Sequence, residues 1–178
     1  MTTTRREWLM IAAALGVAHV SAAGAEAQSQ AAPAAIGPSD GELVYVGRDP
    51  VRIKISPQGE RGRFAMITQD VSPGTTIPVH LHEREDEVIF IQSGRGEATL
   101  GPEKVPLEAG STLYVPQGTW HGGRNTGQDV LRWIAFYSPS GFEGYFREIG
   151  RRWPDAPPRM LSMQERRALD ERFGIRYP

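Results

Sequence analysis

Cysteine is absent from the chain. Its absence excludes disulfide stapling, thiolate zinc sites, thiol nucleophiles and a lipid-modified N-terminal cysteine, so any metal must be held through nitrogen and oxygen. A surplus of positive charge is also missing: 20 Lys and Arg face 21 Asp and Glu, for a net charge of -1. Without a basic face there is nothing to hold a phosphate backbone, and no helix-turn-helix pattern is visible, so nucleic acid is not an expected partner. Nor does the chain contain the roughly 20 consecutive apolar residues needed to cross a bilayer core. Histidine is scarce too, with four in 178 residues. What remains is an ordinary globular composition, 39% hydrophobic and 23% charged, sufficient for one domain with one core.

The N-terminus reads as an export signal. Arg5 and Arg6 precede an apolar run from Trp8 to Val20, and Ala23, Ala25 and Ala27 follow in the alternation that signal peptidases read. Residues 1–27 are therefore expected to be a signal peptide that sends the protein to the periplasm or the exterior, with no membrane association after its removal. The stretch from Thr4 to Met10 resembles the twin-arginine motif, with Trp8 where Phe is usual and Met10 where Lys is common. That resemblance implies export of a folded protein, with any metal inserted beforehand. Residues 28–40 are rich in Ala, Gln, Pro, Ser and Gly without periodicity and read as a disordered leader.

From residue 41 to residue 138, short runs of Val, Ile, Thr and aromatics alternate with Gly, Pro, Asp and Ser, the pattern of an all-β domain. Strands are predicted at 43–46, 51–55, 64–68, 77–82, 88–92, 98–100, 112–115 and 130–137. Strands this short and numerous point to a sandwich or jelly-roll barrel. Residues 139–178 form a helical extension expected to pack on the barrel. Phe142, Tyr145, Phe146 and Ile149 fall at helical spacing after a capping box of Ser140 with Glu143. A second box, Ser162 with Glu165, opens another helix that Gly174 ends. The aromatic stripe is assigned to packing rather than to binding.

His80 and His82, two apart in a strand, point to one face of the sheet. Glu87 opens the next strand and can meet that face, while His121 follows the tight segment Pro116-Gln117-Gly118. One His taken singly is more often a core or surface residue than a ligand. Here the count decides: His19 lies in the signal, and the other three are all in this set. Ser72-Pro73-Gly74-Thr75 fits a type II turn, and Gly94 and Gly110 mark strand ends. Turn chemistry alone does not account for their fixed distances to the histidines.

Those distances carry a family resemblance. Gly74, five residues, His80-Leu81-His82, four residues, Glu87, six residues and Gly94 resembles the first cupin motif. Gly110, five residues, Pro116-Gln117-Gly118, two residues, His121, three residues and Asn125 resembles the second. The resemblance implies a jelly-roll β-barrel binding one divalent transition metal through His80, His82, Glu87 and His121. Iron or manganese come first, then nickel, copper or zinc. Asp86 is the rival carboxylate, but Glu87 alone keeps the interval to Gly94. Glu83, Arg84 and Glu85 read as a solvated hairpin loop. By strand parity Ile89 and Ile91 share the interior with Glu87, whereas Phe90 and Trp120 face away, in the position of a homodimer contact.

Three imidazoles and one carboxylate leave two positions free on a six-coordinate ion, so the site is open to a small-molecule substrate. The tail 141–148 and the short spacing between the motifs resemble small quercetin-dioxygenase-like cupins. This implies a metal-dependent dioxygenase acting on an aromatic or enolic compound, with Glu87 serving as catalytic base as well as ligand. The alternatives are a non-catalytic periplasmic metal or small-ligand binder, or a cupin isomerase or decarboxylase. Arg84 and Arg124 are the only cations beside the ligands in sequence, and both are expected to face solvent.

Overall fold

The computed structural model describes residues 33–57, 62–152 and 160–178. The signal segment lies outside them, as does the start of the leader. Among the described residues, eleven strands and two helices follow in order. The strands are β1 (Glu42–Val46), β2 (Asp49–Ile55), β3 (Ala65–Val71), β4 (Thr76–His82), β5 (Asp86–Ser93), β6 (Arg95–Leu100), β7 (Glu103–Glu108), β8 (Thr112–Val115), β9 (His121–Asn125), β10 (Leu131–Ser138) and β11 (Ile175–Arg176). The helices α1 (Glu143–Ile149) and α2 (Met163–Phe173) fall between β10 and β11.

All strand pairs are antiparallel, in a six-stranded sheet of order β1-β2-β3-β10-β5-β8 and a five-stranded sheet of order β11-β4-β9-β6-β7. The expected all-β jelly roll with two C-terminal helices is thus the observed fold, as two separate hydrogen-bonded sheets. Alternation along the strands builds the core: Ala65, Ile67 and Val71 of β3 and Leu131, Trp133, Ala135 and Tyr137 of β10 are buried, and their neighbours in sequence are not. Ile67, Ile91 and Leu131 are wholly buried, each contributing about 1.5–3 kcal/mol of transfer free energy.

Three strands escape the sequence pattern. β7 holds Pro106 among charged residues, which is tolerated because β7 is the sheet's edge. β11 is two residues long. β9 reads His-Gly-Gly-Arg-Asn and has little intrinsic strand preference, yet it lies between β4 and β6. Its glycines answer a packing need. Ile77 pairs with Gly123 and His80 with His121, so Pro78 and Val79 together oppose Gly122 in a bulge. A Cβ on Gly122 would stand 2.9 Å from the Ile77 carbonyl oxygen and 3.1 Å from Val79 Cα. Pro78 has no N–H to waste at such a place.

The Ser72–Thr75 turn is as expected: Thr75 N–H donates to Ser72 O at 3.0 Å and Gly74 takes φ of 78°. The box on α2 is also formed, with Gly174 left-handed at its end. The box expected at Ser140 and Glu143 is not. Helix α1 begins two residues later than that box would place it, with Phe142 at the N-cap and no side-chain cap. Glu143 instead accepts from Gly141 N–H at 2.6 Å and from Ser56 Oγ at 2.7 Å, the latter a long-range contact that a local motif cannot register. Residues 37–40, read above as the end of a disordered leader, are tied to β2. Arg52 donates to Ser39 O, and Lys54 donates to the carbonyls of Gly37, Pro38 and Asp40.

Replacing Gly122 with Ala should destabilise the metal-free protein by about 2 kcal/mol through that close approach, lowering the thermal midpoint by several degrees. An unchanged midpoint would mean that β4 and β9 can part without cost.

Candidate metal centre

β4 delivers His80 and His82, β5 delivers Glu87, and β9 delivers His121 directly across from His80. One nitrogen from each of the three imidazoles lies within 4.8 Å of the others. Glu87 Oε2 stands 2.8 Å from His121 Nε2 and 3.5 Å from His82 Nε2. All four side chains are buried. His80 Nδ1 donates to Pro78 O at 2.7 Å and His121 Nδ1 to Thr119 O at 3.0 Å. These bonds set the ring orientations and turn each Nε2 toward the cluster. Both ring nitrogens of His82, His121 Nε2 and Glu87 Oε2 are buried without a hydrogen bond of good geometry. Orphaned donors this close together are costly unless something binds between them. A nitrogen and oxygen donor set of this kind fits a divalent transition ion.

Burial, reinforced by His121 and His82, lowers the His80 pKa from 6.5 to about 4, so its imidazole is neutral. For Glu87, burial alone would favour the neutral acid. Contact with His121 and His82 outweighs it and holds the carboxyl well below the usual range. His121 is the reciprocal case: burial opposes the charge, but Glu87 raises its pKa above 6.5.

The cluster opens into a cavity of about 420 Å³, the size of a small-molecule site. Ile77, Ile89, Leu113, Trp133 and Phe142 form apolar walls, with Phe142 set edge-on to His82 at 4.1 Å between centroids.

Residues 67–137 match the family described as Cupin domain. An uncharacterized protein of Methanocaldococcus jannaschii is 30% identical over 91 residues, which are 49% of this chain and 73% of that protein. The chain is a cupin. The quercetin 2,3-dioxygenase of Bacillus subtilis is 24% identical over 120 residues, 67% of this chain but 35% of that enzyme. The cupin spans less than half the length of several curated relatives it matches. Among solved structures, KdgF from Halomonas sp. superposes with a TM-score of 0.56 at 21% identity, covering 64% of this chain and 99% of that one, a likeness of fold.

The rival carboxylate of this cupin is occupied elsewhere: Asp86 accepts from Gln117 N–H at 2.9 Å and Tyr114 OH at 3.3 Å. Ile89 lines the cavity as parity requires, whereas Ile91 belongs to the closed core behind it. Phe90 and Trp120 are exposed at 39% and 37%. Arg124 faces solvent.

In the loop before Glu87, Glu83 and Arg84 are exposed as expected, whereas Glu85 is buried. Glu83 accepts from Arg176, and Arg84 donates to the carbonyls of Glu171 and Arg172 at the end of α2. Glu85 is 6% exposed, with Oε2 lacking any hydrogen bond. The C-terminal extension lies against this loop, with Glu83 N–H donating to Gly174 O at 2.8 Å.

Sequence reasoning also missed Tyr137, Tyr145, Arg166 and Tyr177 as cavity residues. Tyr137 was legible in principle, since it alternates with buried positions and pairs with Glu87 across β5 and β10. Burial, with Glu87 next in effect, keeps its phenol protonated. The other three come from the extension and carry no local signal of their role.

Burial, with Glu143 adding to it and Arg84 opposing, pushes the Glu85 carboxyl from 4.5 up to about 7. A raised carboxyl pKa means that the folded state holds the proton more tightly than the unfolded chain. The penalty is absent below about pH 4.5, grows between there and about 7, and is fully present above that. Glu85→Gln should therefore be more stable than the parent by roughly 1–3 kcal/mol near pH 8, with the gain shrinking toward pH 5. Denaturant titrations at both pH values check this, and a gain independent of pH would refute it.

Proposed function

We propose that this cupin is a metal-dependent oxidoreductase of the dioxygenase type acting on a small aromatic or enolic molecule. The observation that carries the reading is the set of buried, otherwise unbonded donor atoms at an apolar cavity. In it, His80, His82, Glu87 and His121 would hold one divalent ion, iron or manganese before nickel, copper or zinc. When bound, such an ion supplies Lewis acidity and, if iron or manganese, a redox centre. The chain supplies the rest. Ile89, Leu113 and Phe142 exclude water and accept a flat apolar substrate. Glu87, ionised in the metal-free site, is placed to take the proton of a substrate hydroxyl. Tyr137 keeps its proton and can donate a hydrogen bond beside it. The relationship to the B. subtilis quercetin 2,3-dioxygenase supports this choice among cupin chemistries. Arg5, Arg6 and the apolar run that follows support export to the periplasm or exterior. The exposed Phe90 and Trp120 support a homodimer.

Protein purified after its native export should carry about one equivalent of transition metal by elemental analysis, and should consume oxygen with a flavonol or a catechol. Metal retained without oxygen uptake on any such compound would favour a non-catalytic binder, and negligible metal would defeat both readings. His82→Ala should lower metal occupancy at least about tenfold while leaving the far-ultraviolet spectrum β-rich.

A coordinating imidazole must be neutral, so metal must displace the proton that Glu87 helps His121 to retain. Near pH 6 loading should release about one proton per ion, falling toward zero as pH rises through the His121 pKa. His80 contributes none, being neutral above about 4. Calorimetry in buffers of different ionisation enthalpy measures the release; none near pH 6 would remove His121 from the ligand set.

A further inference from the structure

The cavity wall has a second charged region, built by the C-terminal extension rather than by residues 67–137. Besides Glu87, the charged cavity residues are Asp49, Arg151 and Arg166. Asp49 accepts from the N–H and hydroxyl of Ser72 at 3.1 and 2.6 Å. Arg151 donates to Gly47 O at 3.1 Å and has a further partner. Arg166 differs. It is half-buried, forms no ion pair among the described residues, and spends one N–H on Tyr145 OH at 3.1 Å. Asp170, one turn along α2, accepts from the Tyr145 hydroxyl at 3.2 Å instead of from the guanidinium. A guanidinium has five donors in a planar fork suited to a carboxylate, so most of its capacity is unspent.

Two phenols link this cation to the imidazole cluster. Tyr145 and Tyr177 hydroxyls are 3.2 Å apart, and the Tyr177 ring lies 6.1 Å from that of His80. The scaffold beneath Arg166 is fixed at both ends. The Ser162 and Glu165 box starts α2, Arg84 holds its last carbonyls, and Ile175 and Arg176 pair with His82 and Leu81 on β4. The extension therefore sets a cation that makes no direct ion pair among the described residues, though its charge is felt by Asp170, at a defined position relative to the histidines.

We infer that Arg166 anchors a carboxylate of the substrate, making the substrate a small aromatic or enolic acid rather than a neutral compound. This rests on the dioxygenase-type reading for the other end of the molecule. Arg166 is a specificity-determining residue here; it supplies neither a metal ligand nor a proton in the reaction.

The probes are 3,4-dihydroxybenzoate and catechol, which differ by the carboxylate, titrated calorimetrically into the full chain with metal loaded and with metal stripped. Wild type should bind the acid at least about tenfold more tightly than catechol. Arg166→Ala and Arg166→Gln should abolish that preference by weakening the acid alone, Arg166→Lys should restore part of it, and metal content should not change. Equal binding of the two probes by wild type, no binding of either, or a preference that survives both neutral substitutions would overturn the inference. Wild-type protein without metal would defeat the dioxygenase reading instead, and the acid preference of the stripped protein would still decide the role of Arg166. Because two neutral replacements are used, and Arg166 lies on a helix surface, a folding defect in one leaves the other to report.

Discussion

The close approach of β4 and β9 governs the site. Pro78 and Val79 bulge against Gly122, and the bulge sets His80 opposite His121. A side chain at 122 would force the strands apart and separate the two imidazoles. Pro78 serves twice: it adds no unpaired N–H to the bulge, and its carbonyl takes the His80 Nδ1 proton. Backbone geometry and ligand orientation are thus one constraint, because the same peptide group that makes the irregularity also selects the nitrogen that faces inward.

Burial makes this arrangement consequential. Three imidazoles and a carboxylate within a few ångströms, with little exposure, carry a large desolvation cost that hydrogen bonds within the cluster offset only in part. The metal-free protein relieves some of it by keeping His80 neutral and leaving one proton between Glu87 and His121. A divalent ion would relieve the remainder and displace that proton. Electrostatics and packing therefore act in the same direction, toward a site that favours a positive occupant.

The C-terminal extension joins these two themes. Its aromatic stripe packs Phe142 against His82 and stacks Tyr145 on Phe142, and β11 adds a strand to β4. It also lies against the loop that holds Glu85, a buried carboxylate that local sequence placed in solvent. The segment is therefore part of the cavity wall as well as a cover for the core, and reading it as packing alone captured half of its role. Apolar periodicity announces that a face will be buried, but not what that face will be buried against.

The amino-acid sequence by itself pointed to the jelly roll and to the turns at Gly74 and Gly174 through local pattern, while His80, His82, Glu87 and His121 were marked out as candidate ligands by the cupin motif spacing. The edge strand with Pro106, the glycine-bearing β9 and the failed Ser140 cap were hidden, since their reasons lie in neighbours distant along the chain. Only the tertiary structure decided which cations line the cavity. Arg84 stands two residues from His82 yet caps α2, whereas Arg166, remote in sequence, reaches the cavity wall. The physical reason is that a strand's two-residue repeat specifies which way neighbouring side chains point, while the meeting of α2 with β4 depends on long-range burial and on backbone pairing at a sheet edge.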